Sequence, residues 1–168
     1  MAANSGARLV MNGAFAQLLV LLLATCPASL VGAEVTPFTV WTAQARQELP
    51  LWVQCWIYFM FLMAGLGLFF VRKHPEARWA LGAFVVSHLL SGLETLIFGA
   101  DHFKVGMIAI NHAVVWTPAA WIVGRSLRKA NLRSPFGVWL VGICGMFVFS
   151  LIFDFRDAGI YLFAPRPG

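Results

Sequence analysis

Trp79-Ala-Leu-Gly-Ala-Phe-Val-Val-Ser-His-Leu-Leu-Ser-Gly-Leu-Glu-Thr-Leu-Ile-Phe-Gly99 is a run of twenty-one residues with one formal charge, Glu94. As a helix it is ~31 Å long, about the thickness of a bilayer's hydrocarbon core. Ala83, Ser87, Ser91, Thr95 and Gly99 recur at every fourth position. Such a small-xxx-small stripe lets a second helix approach closely, and its hydroxyls can bond across the contact. At ~100° per residue, His88 and Glu94 fall ~60° to either side of Ser91. The polar set therefore occupies one arc, which lipid would solvate poorly. The expectation is a central helix with that arc turned inward.

Working outward, three similar runs surround this one. Pro50–Val71 carries no charge and ends at Arg72-Lys-His-Pro-Glu-Ala-Arg78. Val105–Gly124 ends at Arg125-Ser-Leu-Arg-Lys-Ala-Asn-Leu-Arg133, and Phe136–Phe153 precedes a tail rich in Phe, Tyr and charge. The loops after the first and third runs hold seven cations, whereas the Asp101-His-Phe-Lys104 turn between the second and third holds one. Loop cations favour the cytoplasmic side, so both basic loops are expected there. Segment 34–49 and tail 154–168 then lie outside. Trp79, Trp121 and Trp139 near inner ends, and Trp52 near an outer end, fit aromatic belts at the two interfaces.

Upstream, no charge occurs between Arg8 and Glu34. A basic start, the short Leu-rich core Ala14–Ala24 and the Val31-Gly-Ala33 site read as a signal peptide over 1–33. A retained first helix over Ala14–Ala33, or a lipid-modified Cys26, are the alternatives. In segment 34–49, Thr36 and Pro37 suit a helix start, with Phe38, Trp41, Ala45 and Leu49 at near-helical spacing. A short interfacial helix and an irregular linker both fit.

Composition agrees with this frame. Of 168 residues, 60% are hydrophobic and 11% charged, against roughly 45–50% and about 25% in soluble domains. Mean hydropathy is +0.79. A disordered chain, a soluble enzyme and a disulfide mini-protein are excluded. The net charge of +5 comes from those short loops, so nucleic acid is not an expected partner. Three cysteines without a CxxC pair give no zinc or thioredoxin-like signature.

Ionisable groups inside the spans are the candidates for function. From the outer ends at ~1.5 Å per residue, Gln54 and Tyr58 lie ~6 and ~12 Å deep. Glu94 and Thr95 lie ~7 Å deep, Asn111 and His112 ~10 Å. Ser150 and Asp154 stand at the outer end of the last span. The matched depth of Glu94 and His112 on adjacent antiparallel spans suggests a coupled pair, with Asn111, Thr95, Tyr58 and Gln54 around it. The bland alternative for each is an interhelical hydrogen bond. Ala83, Ser87, Ser91 and Gly99 are assigned to helix packing.

Together these observations predict an all-α, four-span membrane bundle in the plasma or inner membrane, with both mature termini outside. Its expected function is non-enzymatic: a polar outer-half pocket for a small ligand, ion or proton, working with other membrane subunits or in a homo-oligomer. No metal and no cofactor is assigned. The alternative is a redox subunit holding a quinone, or haem b between His88 and His112, whose depths differ by ~6 Å.

Overall fold

The computed structural model describes residues 35–165. The proposed signal peptide or extra first helix over 1–33 lies outside them. Among the described residues the chain is all-helical: α1 (Ala43–Gln47), α2 (Leu51–Gly67), α3 (Pro75–Phe98), α4 (Val105–Leu127) and α5 (Pro135–Phe163). A single 3₁₀ turn, Ala100–His102, joins α3 to α4. Helices α3, α4 and α5 are each long and apolar enough to cross a membrane. At seventeen residues α2 is ~26 Å long and falls short of that length.

Helix ends follow local chemistry, and several differ from the sequence expectation. The first span was expected to run to Val71, but α2 stops at Gly67 and tightens into i→i+3 turns through Leu68, Phe69 and Phe70. Trp139 of α5 crosses there: its indole Nε1 donates to the Met63 carbonyl at 2.8 Å, and a Cβ on Gly67 would stand 2.9 Å from that ring. Only glycine admits the crossing. Helix α3 starts four residues early because Pro75 takes the first helical position, where its missing N–H costs nothing. Gly99 ends it at φ +87°, a conformation that glycine alone adopts freely. Gly99 is exposed and so serves as a helix stop rather than a packing residue.

The last helix shows the largest difference. Ser134 caps it by accepting from the Gly137 N–H at 3.0 Å, and α5 then runs ten residues past Phe153. Asp154, Arg156 and Asp157 are helical rather than part of a tail. Segment 36–41 is irregular and packs on the α3–α4 turn: Trp41 N–H donates to the Phe103 carbonyl, and Gly106 N–H to that of Pro37. The helix expected from Thr36 is confined to α1, capped by Thr42 instead.

The core lies between α4 and α5, the most extensively packed pair. Trp116, Val123, Leu140, Ile143, Met146 and Phe147 are fully buried there. Helix α3 adds Ala77, Ala80, Ala83, Phe84 and Ser87. The most buried span is α5, which packs on both α4 and α2, and not the second span as its stripe suggested. The physical reason is size. The small residues of α3 make room for a large neighbour, Trp116, whereas α5 supplies the bulk that fills the interior. Leu89, Leu93, Leu96 and Ile97 remain exposed on the outer face of α3, as lipid-facing residues are.

Candidate functional site

Two polar contacts sit side by side on one turn of α4. Asn111 is buried, and its Nδ2 donates to Glu94 Oε2 at 2.8 Å and to Ser91 Oγ at 3.3 Å. This ties α4 to α3. The next residue, His112, turns to the other side, with its Nδ1 3.4 Å from Asp154 Oδ1 and 3.3 Å from Oδ2. That ties α4 to α5. Two carboxyl groups are thus held by consecutive residues of a single helix, across three helices.

The pair expected from depth alone, Glu94 with His112, is not the one that forms. Neighbouring residues on a helix point ~100° apart, so Asn111 and His112 cannot both face α3. The amide takes Glu94, and the imidazole faces α5. Asp154, which the sequence placed at the right end of the last span but left out of the pocket, is its partner. Spacing could have found it: Phe147, Ser150, Asp154 and Ala158 continue one helical face.

A floor of aromatic and hydroxyl groups lies under the imidazole. Trp116, one turn below His112, stacks on it with centroids 3.8 Å apart and planes 13° apart. Its indole Nε1 donates to Ser87 Oγ at 3.0 Å, and Ser87 in turn donates to the Phe84 carbonyl at 2.9 Å. The imidazole is therefore held by a carboxyl at its edge and an indole on its face. Asp154 Oδ2 is buried and accepts no hydrogen bond, because His112 Nδ1 lies within ion-pair range but off the direction a bond needs. An acceptor buried without a donor is costly unless something occupies it.

The remaining expected pocket residues are placed elsewhere. Tyr58 is 74% exposed on α2. Gln54 Nε2 donates to the Leu49 and Gln47 carbonyls, pinning the chain ahead of α2. Thr95 donates back to the Ser91 carbonyl at 2.8 Å. Of the packing residues, Ala83 and Ser87 are buried, and Ser91 is half-buried where it receives Asn111.

His88 and His112 do not face one another. His88 is exposed, its Nδ1 2.8 Å from the Phe84 carbonyl. Ring centroids run from His88 to Phe84 at 4.4 Å, on to Trp116 at 6.2 Å, and then to His112 at 3.8 Å. Phe84 and Trp116 fill the space that a porphyrin ligated by both histidines would need. Among the described residues, no three His, Cys, Asp or Glu converge as a metal site, and no serine, threonine or cysteine is bonded to the His112 ring.

No protein-family model matches the chain, and neither a curated protein nor a solved structure is significantly similar to it. The functional reading rests on these residues alone.

Proposed function

We propose that this chain is a small, non-enzymatic membrane protein that takes up and releases a proton at the His112–Asp154 pair. In this reading α2 joins α3, α4 and α5 as a fourth span, and the protein works with partner helices or in a homo-oligomer. The observation that carries it is the buried, unaccompanied Oδ2 of Asp154 beside an imidazole. A carboxyl oxygen without a donor is where a proton binds, and the imidazole 3.3 Å away is the group that exchanges it. Asn111 holds Glu94 in the neighbouring contact, on the α3 side of the same turn.

Infrared difference spectroscopy across an acid-to-neutral titration tests the reading. The expected result is a carboxylic-acid C=O band that disappears in Asp154→Asn and shifts in His112→Leu, while Glu94→Gln leaves it in place. A band that vanishes in Glu94→Gln and survives in Asp154→Asn would move the proton to the other carboxyl and overturn the assignment.

Orientation belongs to the same proposal: the basic loops on the cytoplasmic side, the His112–Asp154 layer toward the outside. Single cysteines at positions 76, 104 and 131, in a chain stripped of its three native cysteines, provide the check. In intact cells an impermeant maleimide is expected to label Lys104→Cys alone. Labelling of Glu76→Cys or Asn131→Cys with position 104 silent would invert the protein.

A further inference from the structure

Opposite the polar layer, at the end carrying both basic loops, an open groove of about 640 Å³ separates the start of α3 from the start of α5. Lys73 and Lys129 line it from the two loops, with Ser126 and Ser134 supplying hydroxyls and Glu76 a single carboxylate. Its floor is aromatic: His74 lies flat on Phe136, centroids 3.5 Å apart, and Phe70 meets Phe136 at 5.5 Å. At its mouth Phe69 is 80% exposed, an apolar ring beside two ammonium groups. Trp79 and Trp121, 57% and 67% exposed, stand at the same end of their helices, where an interfacial belt is found.

Charge distinguishes this groove from a gap between helices. Among the described residues, none of the seven cations of the two basic loops is ion-paired with a carboxylate. Arg78 instead donates to the Val71 and Arg72 carbonyls, which fixes the first loop as a rim. The end is strongly positive, with Glu76 the one acid lining the groove among the described residues. Its lining thus sets two ammonium groups, two serine hydroxyls and one carboxylate beside an exposed aromatic ring.

We infer that this groove is a binding site for the headgroup of an anionic phospholipid of the glycerol type. Basic pockets between membrane helices on the positive side hold such headgroups, and each lysine near the surface adds appreciably to the affinity. A choline or ethanolamine headgroup brings its own cation to an end already rich in unpaired arginine and lysine, so it binds less well.

Native mass spectrometry of the full chain, released from detergent with phosphatidylglycerol, phosphatidylethanolamine or phosphatidylcholine, measures it. Phosphatidylglycerol is expected to be retained preferentially, and Lys73→Gln with Lys129→Gln to weaken that retention by roughly 30-fold. Arg125→Gln with Arg128→Gln removes the same charge from the same end but outside the groove, and is expected to cost far less. Equal retention of the three lipids overturns the site. So does an equal loss in the arginine variant, which would mean that lipid is held by the general charge of that end. Displacement of the lipid by millimolar inorganic phosphate would reveal a free-anion site instead. Should the lysine variant fail to fold, Glu76→Gln reads the same groove in the opposite sense. It removes the opposing charge and is expected to strengthen retention; unchanged or weaker retention there counts against the groove.

Discussion

Trp116→Ala is expected to be the most damaging single substitution in the described bundle, costing about 3 kcal/mol. Trp116 is fully buried, and it touches all three elements that define the interior. It stacks on His112, packs against Phe147 at 5.4 Å, and donates to Ser87. Helix association in lipid has little hydrophobic driving force, so the cost comes from lost packing and the cavity left behind. Ser87 also loses its donor while remaining fully buried. Trp116→Phe keeps an aromatic face under His112 and drops the indole N–H, so about 1 kcal/mol is expected from it. Unfolding of the purified protein in mixed micelles gives both values. If Trp116→Ala stays within about 1 kcal/mol of the parent, α3, α4 and α5 are not wound around this residue.

Why these features were only partly visible in the sequence follows from what periodicity encodes. Apolar length located the helices, since a run such as Val105–Gly124 has few other places to go in water or lipid. Charge was a poorer guide to where they stop. Asp154, Arg156 and Asp157 looked like the start of a tail, yet the face through Ser150, Asp154 and Ala158 kept its helical spacing and packed as one. At the other extreme, the uncharged run to Val71 suggested a continuous helix. Trp139, remote in sequence, claims the backbone at Met63 and Gly67 and closes it early.

The site was legible as a depth and illegible as a set of partners. Counting residues from the outer ends put Glu94, Asn111, His112 and Asp154 in the same part of the bundle. It carried no information on azimuth between helices. The stripe on α3 was read as a seat for another backbone; its Ser87 receives an indole instead. Trp116 stacks on the imidazole of His112, whose edge meets Asp154 of α5.

Replacing His112 or Asp154 alone is expected to cost about 2 kcal/mol, and replacing both less than the sum. Both side chains are about 85% buried, their exposures being 14% and 15%. Removing the imidazole leaves a carboxyl with neither oxygen bonded, since Oδ2 already lacks a donor. Removing the carboxyl leaves an imidazole held only by its stack on Trp116. In either single variant a polar group is stranded in a layer that water does not solvate. With both positions leucine, no stranded group remains, and apolar bulk replaces the pair. The coupling in a cycle of His112→Leu and Asp154→Leu is therefore expected at about 1 kcal/mol or more. A parallel cycle of His112→Leu with Glu94→Gln is expected to show less, because Glu94 bonds to Asn111 and Ser91 answers to the same amide. Unfolding titrations of the four chains in each cycle supply the numbers. Strong coupling to Glu94 with additivity to Asp154 would return His112 to the α3 side, and the proton site would have to be rebuilt around the other carboxyl.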